Sequence, residues 1–135
     1  MSSPVSCPFC DIASDPKHVR VIAQNDHAFL VRDGFPVSDG HSLIIPRRHI
    51  GSFFDAAVDE RHALLELVDQ AKLLIDTEFG PDAYNIGIND GPAAGQTVPH
   101  LHIHLIPRYE NSMADPRGGV RWVVPEKAPY WSNPS

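Results

Sequence analysis

The stretch Pro99-His100-Leu101-His102-Ile103-His104-Leu105-Ile106-Pro107 decides how the rest of the chain is read. Polar and apolar residues alternate along it, the pattern of an extended strand with one buried face. His100, His102 and His104 fall on one face, and Leu101, Ile103 and Leu105 fall on the other, where they can meet a core. An extended chain places alternate residues ~7 Å apart and the outer pair ~14 Å apart at Cα. The three imidazoles therefore line an elongated site rather than converge on one atom. Three chemistries fit such a face. It is a solvated polar surface, or a metal site built on His-x-His. Or it is a nucleophilic site, in which one imidazole forms a covalent intermediate and its neighbour protonates a leaving group.

Immediately upstream runs Asn89-Asp90-Gly91-Pro92-Ala93-Ala94-Gly95-Gln96-Thr97-Val98. Its glycines allow the backbone to approach a ligand closely, its N–H groups suit a phosphate, and Gln96 and Thr97 add side-chain donors. A glycine turn alone is commonplace. One that runs into three alternating histidines points to an anion held against imidazoles.

Further outward, residues 83–88 read as a strand. A helix is expected over 59–79, with Leu64, Leu67, Val68, Ala71, Leu74, Ile75 and Phe79 making one apolar stripe. Asp55 or Asp59 suits its cap, and Gly80-Pro81 its end. Residues 20–24 and 27–32 read as strands joined by an Asn25-Asp26 turn. Residues 33–40 form a loop and 42–46 a short apolar strand. Five strands and one long helix without βαβ alternation imply an α+β fold with a mainly antiparallel sheet. After Arg108 the chain is rich in Pro, Gly and charge. An irregular tail over about 109–135 is expected, with Trp122, Tyr130 and Trp131 packed on the domain or on a partner subunit.

The 135 residues suit a single domain, 1–135, able to bury a core without disulfides. The net charge of −6 argues against a nucleic-acid partner, which needs a basic surface. No apolar run is long enough for a membrane span, and Met1–Ser6 lacks the features of a signal peptide, so a cytoplasmic location is expected. In that compartment Cys7 and Cys10 are not expected to form a structural disulfide. Cys-x-x-Cys is then half of a metal site, a redox pair, or chance.

Residues 100–106 follow His-φ-His-φ-His-φ-φ, with φ apolar. Together with Cys7-Pro8-Phe9-Cys10, the run Gly40-His41-Ser42-Leu43-Ile44-Ile45-Pro46-Arg47-Arg48-His49-Ile50, and Asp90-Gly91-Pro92 through Arg108, they make the chain resemble the histidine-triad (HIT) family. The resemblance implies the HIT-like α+β fold, a sheet of about five strands with one long helix and a short N-terminal helix. It implies an enzyme in which His102 attacks a nucleotide α-phosphate, His104 assists the leaving group and His100 supports the nucleophile. AMP is then released from an adenosine nucleotide conjugate. Asn89, Gly95, Gln96 and Thr97 match positions around the phosphate. Asp33 matches a position that bonds ribose hydroxyls, although a turn residue before Gly34 is an equally simple reading. The glycine loop and Ile-Pro-Arg are similar to the Fhit branch, which cleaves dinucleoside polyphosphates. Asp33 and Asn89 are similar to the Hint branch, which cleaves nucleoside phosphoramidates. Bacterial members imply one structural zinc held by Cys7, Cys10, His49 and His100, no organic cofactor, and a homodimer. Two other functions compete: a zinc hydrolase using the triad as ligands, and a nucleotide-binding adaptor without turnover.

Overall fold

Residues 7–132 are described by a computed structural model. Met1–Ser6, read above as free of a leader, and residues 133–135 of the tail lie outside the described residues. A short helix, α1 (Pro8–Ala13), comes first. Five strands follow with one long helix among them: β1 (Ala23–Gln24), β2 (Ala28–Arg32), β3 (Ser42–Pro46), α2 (Val58–Phe79), β4 (Ala83–Gly87) and β5 (Ile103–Arg108). The sheet order is β1-β2-β3-β5-β4, and every neighbouring pair is antiparallel. The α+β expectation is met.

Helix α2 forms where the 3.6-residue period predicts. Leu64, Leu67, Ala71 and Ile75 are buried, each large aliphatic contributing about 1.5–3 kcal/mol. Val68 and Phe79 flank the stripe, whereas Leu74, at its margin, is 37% exposed. Gly80 ends the helix in the left-handed region, its N–H on the Asp76 carbonyl. The start differs from expectation. Asp55 lies in a preceding 3-10 turn, Asp59 lies inside the helix, and the N-cap position is Ala57. Having no side-chain acceptor, Ala57 relies on Glu60, whose carboxylate accepts the Ala57 N–H at 2.8 Å.

The first hairpin also shifts. β1 covers only two residues, because residues 18–21 turn on a His18–Val21 backbone bond. The turn centres on Asp26-His27 rather than Asn25-Asp26. Asn25 pairs with Ala28, and its Oδ1 accepts the N–H groups of His27 and Ala28. Its Nδ2 donates to Ala63 on α2, so one side chain shapes the turn and docks it.

The sheet is apolar on both faces. Leu30, Ile44, Ile103 and Leu105 pack with α2. Phe29, Val31, Leu43 and Ile45 pack with Phe9 and Ile12 of α1. The alternation in β5 sends Ile103 and Leu105 toward α2 and leaves His102 and His104 on the α1 side. The ladder begins at Ile103, not at residue 99. Leu101 donates to Ile50 and His100 to Val98, so residues 98–101 form a bend ahead of the strand. Beyond Tyr109 the tail contains turns and two 3-10 segments, Gly119–Val123 and Tyr130–Ser132. Arg117 lies over Trp131 and Arg121 over Tyr130. Among the described residues, no helix is long and apolar enough to cross a membrane.

Candidate active site and metal centre

The bend at residues 98–101 divides the histidines into two environments. His100 turns inward and is fully buried. Its Nε2–H donates to the Pro46 carbonyl at 2.8 Å, which leaves the Nδ1 lone pair free. Burial, opposed by that hydrogen bond, holds its pKa below the ordinary value, so the ring is neutral. Nδ1 faces Cys7 Sγ at 3.4 Å and Cys10 Sγ at 3.5 Å. Cys10 Sγ lies 3.0 Å from His49 Nδ1.

These four ligand atoms all lie within 4.8 Å of one another. A tetrahedral zinc with bonds of about 2.3 Å to sulfur and about 2.0 Å to nitrogen separates its S and N ligands by about 3.5 Å. The donor set and spacing therefore fit the ion. The sequence builds the site locally as well. Cys7 caps α1 through its Sγ, which accepts the Cys10 N–H at 3.3 Å, and Pro8 occupies the first turn. Both cysteines are free thiols. Burial, then the neighbouring Cys7, pushes the Cys10 thiol up to about 11. A bound dication reverses that preference and holds the thiolates.

His102 faces the other way. Its Nδ1–H donates to the His100 carbonyl at 2.8 Å, which leaves the Nε2 lone pair for chemistry. His102 and His104 have ring centroids 5.0 Å apart. His104 is ordered from behind by His41, a residue that entered the sequence reading only as part of the Gly40–Ile50 run. The Val37 N–H donates to His41 Nδ1 at 3.1 Å, so in the neutral ring the proton sits on Nε2. That Nε2–H lies 2.9 Å from His104 Nδ1 and 3.3 Å from Asp33 Oδ2. His104 accepts at Nδ1 and consequently carries its own proton on Nε2. Burial first, then His102 and His41, hold His104 down to about 4 against the pull of Asp33. Burial also lowers His41, again opposed by Asp33.

Asp33, His41 and His104 bring three potential ligand atoms together. The tautomer argues against an ion among them, because His41 Nδ1 already accepts an N–H and its Nε2 is a donor. The cluster is a hydrogen-bond chain. Among the described residues, no group of three potential ligands includes His102, and His100 belongs to the cysteine site. The three triad histidines thus do not converge as one metal centre.

A cavity of about 500 Å³ lies over this face, with Phe9, Asp33, His41, Thr97, His102 and His104 in its wall. Asn89 and Gly95 also line it. The two carboxylate oxygens of Asp33 lie in different settings. Oδ1 accepts the Phe35 N–H at 2.8 Å in a turn, and Oδ2 faces His41 at the cavity. Gln96 stands apart from the lining. Its Oε1 accepts from Gly91, and its Nε2 donates to the Gly51 and Val98 carbonyls, so it braces the loop. Phe9 and Arg20 also line the cavity and were not foreseen. For Phe9 the available signal was its position between the two cysteines.

An antiparallel sheet that presents one histidine to a thiol pair and the next two to a cavity defines the class. The HIT domain description matches residues 16–111, and the chain belongs to the HIT family. It is 39% identical over 105 residues to an uncharacterized HIT-like protein of Mycoplasma genitalium, covering 78% of this chain and 74% of that protein. An adenylylsulfatase of Arabidopsis thaliana is 35% identical, over 77% of this chain and 53% of its own length. A bis(5'-adenosyl)-triphosphatase of Saccharomyces cerevisiae is 34% identical, over 71% and 44% respectively. Among solved structures, a zinc-bound histidine triad family protein from Mycobacterium smegmatis superposes with a TM-score of 0.72 at 30% identity, covering 82% of this chain and 80% of that one.

Proposed function

We propose that this cavity is the active site of a nucleotide hydrolase or transferase that cleaves at the α-phosphate of an adenosine nucleotide conjugate. The observation that supports the reading is the orientation of His102. With Nδ1–H held by the His100 carbonyl, the Nε2 lone pair is the nucleophile. In the first step a bond forms between Nε2 and phosphorus, and the bond from phosphorus to the leaving group breaks. The leaving group departs with that electron pair: a phosphate oxyanion is stabilised by a hydrogen bond from His104 Nε2–H, and an amine takes up one proton from solvent as it leaves. His41 keeps His104 in that tautomer. In the second step water attacks phosphorus and the P–N bond breaks. AMP departs, one proton passes to solvent, and His102 regains its lone pair.

In this reading Asp33 Oδ2 accepts from a ribose hydroxyl and Asn89, Gly95 and Thr97 surround the phosphate; what supports it is that all four line the cavity. The related adenylylsulfatase and adenosyl triphosphatase support an adenosine nucleotide as substrate. Cys7, Cys10, His49 and His100 hold a structural zinc, a closed site that supplies folding energy and leaves the chemistry to imidazole. The protein works in the cytoplasm as a homodimer, and the exposed outer edge of β4 around Ile86 is the contact we favour. Sedimentation as a monomer at working concentration would remove that last element.

The test is AMP release from adenosine 5′-phosphoramidate and from a diadenosine polyphosphate by wild type and by His102→Ala. Release by wild type alone, with a phosphorus–histidine adduct trapped on acid-free quenching, is the expected result. Equal turnover by the variant refutes the mechanism.

A further inference from the structure

The two residues inside the Cys-x-x-Cys turn, Pro8 and Phe9, both line the cavity that holds His102 and His104. The metal-binding turn is therefore a wall of the pocket. The Phe9 ring meets the His102 ring edge-on at 5.1 Å between centroids, and the His100 ring at 5.8 Å. Helix α1 has six residues, too few to hold a helical shape alone. Phe9 and Ile12 seat it in the smaller apolar cluster. The two thiols that bracket this turn face His100 Nδ1 at 3.4 and 3.5 Å, so a shared metal ion would pin the turn to His100. His100 is in turn the residue whose carbonyl orients His102. One residue, His100, thus meets the metal ligands and the Phe9 ring through its imidazole and the nucleophile through its main-chain carbonyl.

We propose that the Cys7–Cys10–His49–His100 centre sets the nucleotide affinity of the pocket by fixing Phe9 against His102. Phe9 is then a positioning and specificity residue, and the metal acts on binding through it. The inference rests on the pocket being a nucleotide site. A fixed aromatic edge favours a ligand carrying a base over a bare sugar phosphate, because the ring adds contact area without new charge.

The experiment measures AMP and ribose 5-phosphate affinity by calorimetry on the full chain. Wild type and Phe9→Ala are each compared zinc-loaded and after chelation, and near-UV circular dichroism shows whether the chelated chain is folded. Zinc removal is expected to weaken AMP binding to wild type about tenfold, with a smaller effect on ribose 5-phosphate. Phe9→Ala should keep one equivalent of zinc, bind AMP about tenfold more weakly, and no longer respond to chelation. If the chelated chain unfolds, zinc-loaded His49→Gln, which keeps three of the four ligands, repeats the comparison. It should lower AMP affinity in the Phe9 background and not with Phe9→Ala. A folded, zinc-free wild type that binds AMP as tightly as the loaded protein overturns the proposal. So does a Phe9→Ala chain that loses as much affinity on metal loss as wild type. Either result leaves the nucleotide reading intact, whereas failure of loaded wild type to bind AMP removes both.

Discussion

Burying His104 beside two other histidines gives stability a definite pH dependence. The imidazole is brought from 6.5 to about 4, by burial first and then by His102 and His41, while Asp33 pulls the other way. Above its unfolded value the ring is neutral in both folded and unfolded chains and contributes no slope. As pH falls from 6.5 toward about 4, the unfolded chain takes up a proton that the folded chain refuses, so stability falls. Below that window both states are protonated and the penalty is constant. At about 1.4 kcal/mol per pH unit, the full window corresponds to about 3 kcal/mol. The side chain is 22% exposed, which trims the figure toward about 2 kcal/mol through solvent screening. The assay is urea unfolding of wild type and His104→Asn between about pH 7 and about pH 4.5. The titration of His100 occurs in both proteins and cancels in the difference. Wild type should lose about 2 kcal/mol more than the variant across the window. Parallel pH profiles for the two proteins would refute the account of His104.

Other perturbations probe the frame around the site. Gly40 has φ of +88°, and a Cβ there would lie 2.9 Å from Phe79 Cδ2 and 3.2 Å from Ile75 Cγ2. Gly40→Ala should therefore cost about 2–4 kcal/mol through strain and overpacking, and an unchanged melting temperature would contradict this. Buried Glu60 accepts from Arg48 at 2.7 and 3.1 Å and from the Ala57 N–H at 2.8 Å. Glu60→Gln should cost about 1–3 kcal/mol at neutral pH. Arg48 beside it holds the Glu60 pKa below 4.5, so this contribution is present above that value and disappears as pH falls through the lowered one. Equal destabilisation in acid and at neutrality would sink that reading. Purified protein should hold one zinc per chain by atomic absorption, and chelation should lower the melting temperature. A zinc-free preparation of undiminished stability would speak against the metal centre.

How much the sequence disclosed depends on whether the determining contacts were local. The α2 stripe, its Gly80 end and the alternation of Ile103 and Leu105 were legible because burial imprints a period on neighbouring residues. The His102–His104 face was legible for the same reason. The helix start was not, because Glu60 serves the Ala57 N–H and Arg48 together, and a side chain with two partners leaves no cap motif. Gln96 looked like a ligand donor because its type suits one, yet the folded loop turns its amide onto Gly51, Gly91 and Val98. His41 and Phe9 entered the site only through tertiary contact. His41 is 63 residues from His104, and no periodicity links them. For Asp33 the turn was legible because Oδ1 meets the Phe35 N–H two residues on, whereas the approach of Oδ2 to His41 is not a short-range feature.

Among the described residues the histidine strand is the last strand in sequence, but it lies between β3 and β4 in the sheet. On the ribosome, a chain made as far as residue 98 holds both cysteines, the first hairpin and α2, but lacks His100 and every partner for the inner edge of β3. Neither the metal set nor the cavity exists at that stage. Pairing Ile44 with Ile103 closes a long loop, an entropic cost met late and in one step. Until β5 arrives, β3 presents an unpaired apolar edge to whatever is nearby. A chain stopped before β5 therefore lacks the cavity and keeps that apolar edge open, the condition in which folding intermediates associate.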